Sequence, residues 1–518
     1  MLNPVKNLYN ISGRFLYRSL WKSEKFRKRS FLNIIIHIAL AFLAKFFGGG
    51  AGLDAYISFV IPAFVISQLI ITYATAQCAS GATIAAIVGL NMLGVLIQSI
   101  FGFANQSAVV RMWAVYIMGA VMAVGFAVIT RKVRTSLFMS TVIALVLALG
   151  CLFSCFFLPS VNGAKNWLSL GFFSIQVTEF AKLFGIMFLG YVYMLKCSDW
   201  IKWLISTAFM AVAAFILAKV ANELGILLIL AATYVCLTFM YAKNNALKLT
   251  FGGLILAVAA VAFMLVNHMN AVTYKWECPA GCVEEIKLSD GTTESRTKIL
   301  HDTLKCDTCG KQKLHYKETF ICDDCKFRKF TPLPEGETRA TYDCELCRED
   351  PVINAPIVGD MIVKFYHRFA VTLKYDIVKY EGSAYQISQG EKSAILGGWF
   401  GTREGEQIYI PNIRNDSVVA GAMHRMGFVS LLVMIMLYFV LFLEIRNAKS
   451  PKKAAAVLTM CFQALVAISG NLNLFALTGI GVPLISSGGS VNAVSLMLVY
   501  IILTSDNGER GGRSKDEI

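Results

Sequence analysis

The sequence predicts an all-α polytopic membrane protein of about twelve transmembrane helices with one large extracellular loop. Composition, recurring apolar runs and the one-sided gathering of basic residues carry that expectation. Of 518 residues, 56 % are hydrophobic and only 16 % charged, with a mean hydropathy of +0.60. A soluble chain of this length does not tolerate that balance. Apolar runs of about 18–22 residues recur, which is the length that crosses a hydrocarbon core. A helix is the spanning form that satisfies its own backbone there. The runs fall at 30–48, 56–75, 83–101, 111–130, 136–158, 177–194, 200–218, 223–242, 247–268, 427–445, 454–473 and 482–503.

Lys and Arg gather in short cytoplasmic loops, and here every dense cluster falls on one side. Lys22, Lys25, Arg27, Lys28 and Arg29 precede the first run. Arg131, Lys132 and Arg134 follow the fourth, and Arg446, Lys449, Lys452 and Lys453 follow the tenth. The opposite loops hold only Arg111, Lys165 and Lys219. Both termini are therefore expected in the cytoplasm, as a basic tail (1–29) and a short tail (504–518), with 269–424 outside. The basic lead shows no short apolar core or cleavage site of a signal peptide. The formal charge of +15 reads through topology and gives no reason to expect nucleic acid; the surrounding partner is membrane lipid. Within the outer segment, 274–350 is hydrophilic and rich in cysteine, whereas 353–424 is mixed. The stretch 358–375 reads as an interfacial helix whose Lys364, His367 and Arg368 snorkel.

Four stretches raise questions of chemistry. In "VNGAKNWLSLGFFSIQVTEFAK" (161–182), Glu179 and Lys182 fall one turn apart near the outer start of the sixth span and can pair. Ionisable groups in a span usually serve a cavity or a partner; a self-satisfying ion pair is the alternative. In "ANELGILLIL" (221–230), Asn222 suits an N-cap and Glu223 the first turn. "LTGIGVPLISSGGSVNAV" (477–494) interrupts the approach to the last span with Pro483, Ser486, Ser487, Gly488, Gly489 and Ser490. Such a turn lets backbone approach a ligand and points a helix N-terminus at an anion; a plain kink is the alternative. "YIPNIRNDSVVAGAMHRMG" (409–427) holds one carboxylate, Asp416, among two arginines and a histidine, and spacing alone reads it as the N-cap of the tenth span.

Cys278/Cys282, Cys306/Cys309, Cys322/Cys325 and Cys344/Cys347 form four knuckles whose spacing suits two tetrahedral Cys₄ structural zinc sites in a small zinc-ribbon-like insert. An external location leaves four disulfides as the rival. Cys78, Cys151, Cys155, Cys197, Cys236 and Cys461 lie in or beside spans and read as packing residues.

Five motifs, in order, resemble the SEDS family (shape, elongation, division and sporulation; RodA and FtsW). "QALVAISGNLNLFALTGIGVPLISSGGS" (463–490) resembles its C-terminal signature, and "NGAKNW" with "QVTEFAK" its NGARRW and QPSELAK segments. "NELG" resembles its PDLG, and "YQISQGEKSAILGGWFG" with "YIPNIRND" its YQ…GG…LPE…TD external loop. The resemblance covers the ten C-terminal spans, 83–503, and leaves out the two at 30–75. It implies a peptidoglycan glycosyltransferase that polymerises lipid II at the outer face of a bacterial cytoplasmic membrane, beside a class B penicillin-binding transpeptidase. On it, Asp416 matches the external-loop aspartate, Glu179 and Lys182 the QPSE…K pair, and Ser486, Gly488, Gly489 and Ser490 the SYGGS turn.

So aligned, Asp416 is expected to take the acceptor hydroxyl's proton, with Lys182, Lys165, Arg403 and Arg414 around the leaving diphosphate. A divalent cation at the diphosphate is left open. Departures stand at Lys165 and Asn166 for the paired arginines, Val177 for the proline of QPSE, and Ala467 and Ala476. His424 and Arg425 in "HRMG" replace the two acids of EELG. Two rival readings are a lipid II flippase, for which Lys45 is the candidate polar group in the first span, and a non-catalytic scaffold.

Overall fold

The computed structural model describes residues 23–504 apart from 78, 103–105, 134, 162, 170, 172–173, 288–292, 335–336, 340–341, 349, 357, 379–383 and 403–408. Lys22, Arg134, Cys78, Arg403 and both extreme tails lie outside the described residues. Helices α1 (Glu24–Ala76), α2 (Gly81–Ile100), α3 (Gln106–Lys132), α4 (Leu137–Ser154), α5 (Val177–Met194), α6 (Asp199–Phe215), α7 (Leu224–Tyr241) and α8 (Asn245–Val272) occupy the first half. Helices α9 (Val358–Leu373), α10 (Tyr385–Gly397), α11 (Val418–Met426), α12 (Phe428–Leu443), α13 (Pro451–Asn471) and α14 (Gly489–Thr504) follow.

Among the described residues, ten helical segments are long and apolar enough to cross a membrane, and α14 is a shorter apolar helix. The twelve runs fall within these eleven because α1 contains two of them. Gly49, at φ 61° and ψ −153°, breaks α1, and its limbs run antiparallel. Arg29 Nη1 donates to Thr75 Oγ1 at 3.0 Å, and Asn33 Nδ2 to Gln68 Oε1 at 3.1 Å. His37 Nδ1 lies 2.7 Å from the Tyr56 hydroxyl. Polar side chains in lipid need such internal partners. Lys45 stands on the exposed side of this hairpin, which gives no support to a polar path through it. The run at 482–503 is helical only from Gly489; Val482–Gly488 is loop.

The chain divides into two compact units, 1–248 with 389–518, and 249–388. In the first, α1 packs on α2, α3 on α14, α4 on α5, and α13 on both α5 and α7. The α2 helix is mostly apolar and almost wholly buried, with Gln98 among its few polar side chains. Gly94 of α2 meets the Val482–Gly488 loop so closely that an added Cβ would stand 2.3 Å from Leu484 O. Between α4 and α5, β1 (Trp167–Ser169) and β2 (Ser174–Gln176) form an antiparallel hairpin with Leu168 opposite Ile175.

The second unit joins α8, the cysteine module and α9. Its strands β3 (Trp276–Glu277), β6 (Ile299–Leu300), β7 (Phe320–Ile321) and β8 (Arg328–Lys329) make a sheet ordered β6-β3-β8-β7; β4 (Val283–Lys287) pairs with β5 (Thr293–Thr297) as a separate hairpin. Its buried apolar side chains include a cluster of Trp276 and Leu300 packed with Cys278 and Cys306, together with Phe320 and Phe327. Helix α9 forms where the sequence placed it, but His367 does not snorkel. Its Nε2 lies 2.5 Å from Asp324 O of the cysteine module, because that carbonyl offers the ring a protein partner.

Gly94→Ala is expected to cost about 1–3 kcal/mol through overpacking, read as a lowered melting temperature of the detergent-solubilised chain.

Candidate active site

Asp416 sits in a tight turn, 411–417, ahead of the short helix α11. It is not a cap: Ser417 occupies the N-cap, and no side chain there accepts from the helix. The turn closes on Asn412, which adopts φ 52° and whose carbonyl accepts from Asn415 N at 2.9 Å and Ser417 N at 3.2 Å. Asn412 Nδ2 donates to Asp416 Oδ2 at 3.3 Å, and Asn471 Nδ2 holds the Asp416 carbonyl at 2.7 Å. Gly479, at φ 69°, brings backbone beside the carboxylate; a Cβ there would lie 3.8 Å from Asp416 Oδ2. The carboxylate makes no ion pair among the described residues. Burial pushes its pKa above the ordinary carboxylate value, and the Asn412 amide only partly offsets that.

The neighbouring arginine has a different setting from the one expected. Arg414 Nη1 donates to Gln98 O at 3.1 Å and to Gln98 Oε1 at 3.2 Å, and Nη2 donates to Gly102 O. The guanidinium thus caps carbonyls at the end of α2, a common fate of cations at helix C-termini. Backbone around it is tied to the serine-glycine loop. Ser487 N donates to Arg414 O at 3.0 Å, Ser486 Oγ to Asn415 O at 2.9 Å, and Ser487 Oγ to Asn415 Oδ1 at 3.0 Å. Ser486 is buried, Gly488 and Gly489 are half-buried, and Gly489 opens α14.

Glu179 and Lys182 do pair, at 2.5 Å, but Lys182 is 0 % and Glu179 2 % exposed. Lys182 Nζ also donates to Gln463 Oε1 at 2.6 Å, and Gln463 Nε2 to Gly481 O at 2.8 Å. The pair is therefore an internal strut that joins α5 through α13 to the 479–488 loop, away from any surface a diphosphate would reach. A second strut runs from Glu223. Its carboxylate accepts from Asn166 Nδ2 and from Gln176 Nε2 (3.2 Å), while Gln176 N donates to Ser490 Oγ at 2.8 Å. Glu223, not Asn222, stands at the N-cap of α7. Asn222 turns away at φ 56° to donate to Gly163 O at 3.1 Å. Lys165 is exposed.

In "HRMG", His424 is buried, with Nδ1 3.3 Å from Ser393 O and Nε2 3.5 Å from Thr402 Oγ1. Gln98, Asn412, Gln463 and Asn471 were not singled out from the sequence. Their only signal is an amide within or beside an apolar run, where the backbone of an irregular loop needs a partner.

In the second unit the knuckles gather sequentially: Cys278, Cys282, Cys306 and Cys309 form one cluster, and Cys322, Cys325, Cys344 and Cys347 the other. Within each, the ligand atoms lie within 4.8 Å of one another. The Cys278–Cys309, Cys322–Cys347 and Cys325–Cys344 sulfurs are 3.5, 3.5 and 3.6 Å apart. All eight thiols are free. Each cluster can hold one metal ion.

A profile of the FtsW/RodA/SpoVE family of cell cycle proteins matches residues 57–278 and 351–510. The chain belongs to that family. The match skips 279–350, most of the cysteine module, and starts at 57, so it takes in most of the second limb of α1 in addition to the ten C-terminal spans. Similar proteins include a probable peptidoglycan glycosyltransferase FtsW of Helicobacter pylori, 24 % identical over 67 % of this chain and 76 % of its own length. The probable peptidoglycan glycosyltransferase FtsW of Legionella pneumophila is 27 % identical over 25 % of this chain, and the peptidoglycan glycosyltransferase RodA of Mycobacterium bovis 29 % over 25 %. The chain spans only 36 % and 30 % of the length of those two. A solved structure titled as showing structural coordination of polymerization and crosslinking by a peptidoglycan synthase complex matches 82 % of this chain and 96 % of its own. The TM-score is 0.51 at 13 % identity, so the likeness is one of fold. The protein is thus a multi-pass membrane member of the FtsW/RodA/SpoVE family.

Lys182→Met leaves Glu179 buried without its cation and is expected to cost about 3–5 kcal/mol. A Glu179→Gln/Lys182→Met double variant should recover most of that, read by unfolding of the purified protein.

Proposed function

We propose that the protein is a peptidoglycan glycosyltransferase that polymerises lipid II at the outer face of the cytoplasmic membrane, with Asp416 as general base. The observation that carries this reading is a half-buried carboxylate free of any ion pair among the described residues, held by its backbone in a turn. The acceptor sugar's hydroxyl oxygen attacks the anomeric carbon of the donor, the bond to the diphosphate breaks, and Asp416 accepts the hydroxyl proton. Such a base contributes about 10²–10⁴-fold. Compensation for the departing diphosphate comes from the exposed Lys165 and, outside the described residues, Arg403. Buried Lys182 and carbonyl-bound Arg414 hold the loops that carry the site.

Both termini lie in the cytoplasm and the cysteine module outside, following the basic clusters. The partner is a class B penicillin-binding transpeptidase, a reading supported by the polymerization-and-crosslinking complex whose fold the chain shares. Zinc occupies the two Cys₄ clusters. The sulfur separations of 3.5–3.6 Å approach the edge of a tetrahedron with Zn–S bonds of about 2.3 Å and far exceed a disulfide bond of about 2.05 Å.

Asp416→Ala is expected to abolish glycan polymer formation from lipid II by the purified protein with its transpeptidase, while melting temperature is retained. Unchanged polymer yield would reject the base. The base works deprotonated, and burial raises its pKa. Activity should therefore fall, as pH is lowered, at values above the ordinary carboxylate range. Asn412→Ala, which removes a bond favouring the carboxylate, should move that acid limb higher still in a pH–rate profile.

A further inference from the structure

We infer that the second cysteine cluster is a metal-held joint fastening α9 to the C-terminal end of α8. The inference rests on the zinc reading of that cluster and gives the module a structural task that no feature of the family profile requires. Each of its two knuckles is bonded to flanking chain. From the first, Cys325 O accepts from Tyr274 N at 2.7 Å, just past α8, and Asp324 O meets His367 Nε2 of α9 at 2.5 Å. From the second, Cys347 O and Arg348 O both accept from Asn354 Nδ2 at 2.8 Å, in the segment leading into α9. Asp350, directly after that knuckle, meets His268 Nε2 of α8 at 2.8 Å and accepts from Val352 N and Ile353 N at 2.9 Å.

The start of α9 closes on the same segment: a Cβ on Gly359 would stand 2.1 Å from Ile353 O. Direct links between the helix ends add to this: the Tyr366 hydroxyl to Asn270 at 2.9 Å, Lys374 Nζ, just past α9, to Asn270 O at 2.7 Å, and the hydroxyl of Tyr274, just past α8, to His367 Nδ1 at 3.2 Å. With two-residue strands in its sheet, one separate five-residue hairpin and few buried apolar side chains, the module lacks the buried area that orders a chain without a metal or cross-link. Metal binding then supplies the folding free energy.

The first cluster differs. Cys309 is exposed and Cys282 half-buried. Among the described residues, the backbone bonds of its knuckles to other segments go to Lys298 and Lys311, inside the module. All four sulfurs of the second cluster belong to buried residues. The first cluster's own knuckles bond inside the module, and its flanking Asp302 reaches Lys374, just past α9; the second cluster's knuckles themselves bond to α9 and to the end of α8.

The test combines zinc content by elemental analysis with hydrogen exchange on amides of 358–373, using the full chain. Wild type should hold two zinc ions with α9 protected. Cys344→Ser should hold one, with exchange in α9 faster by at least ~10-fold through local opening. Cys309→Ser should also hold one, with α9 as protected as in wild type. His367→Ala alters no ligand and should keep both ions while α9 exchanges faster, so the joint is tested even if a cysteine variant misfolds. Unchanged α9 exchange in both Cys344→Ser, at one zinc, and His367→Ala overturns the joint and leaves the zinc reading standing. Wild-type protein without zinc overturns the zinc reading itself.

Discussion

Irregular backbone at the rim of a bilayer must find its hydrogen-bond partners within the protein, and the site depends on how two such segments satisfy each other. The 411–417 turn and the 479–488 loop share bonds through Arg414, Asn415, Ser486 and Ser487. Gln98 of the central helix donates to both, through Arg414 O and Ile485 O. Unpaired backbone groups there would each cost several kcal/mol. That cost leaves the two segments few alternatives to the observed docking, and the docking is what sets Asp416 beside Gly479.

The charged residues divide by this logic. Lys182 and Glu179 lie too deep to meet solvent and serve through Gln463 to hold the loop from behind. Glu223 does the same for the β-hairpin and the start of α14 through Gln176 and Ser490. Arg414 is spent on carbonyls of α2. Asp416 makes no ion pair among the described residues, which suits the proton abstraction proposed for it.

The cysteine module answers a different physical problem. It is a short-stranded insertion with little apolar core, and four knuckles stand in for that core. Their sequential gathering follows from chain order: each cluster is built from the two nearest knuckles, which minimises the loop closed between them.

Much of this was legible in the sequence. Apolar runs located the spans because the bilayer demands about 20 apolar residues per helix, and cysteine pairs two or three residues apart marked the two clusters, a spacing that suits tetrahedral ligation. The apolar runs alone count 482–488 as span, although Pro483 and the Ser486–Ser490 stretch already mark an interruption there, and the chain is loop up to Gly489. Spacing could not tell that Lys182 is sealed from solvent, that Arg414 bonds carbonyls, or that His367 turns to Asp324 and not toward lipid. Residue type and period thus determined which elements form and which groups carry charge. Only tertiary structure decided whether a charge is spent inside or left open, because that turns on partners brought together from distant parts of the chain, such as Gln98, Gln463 and Asn471.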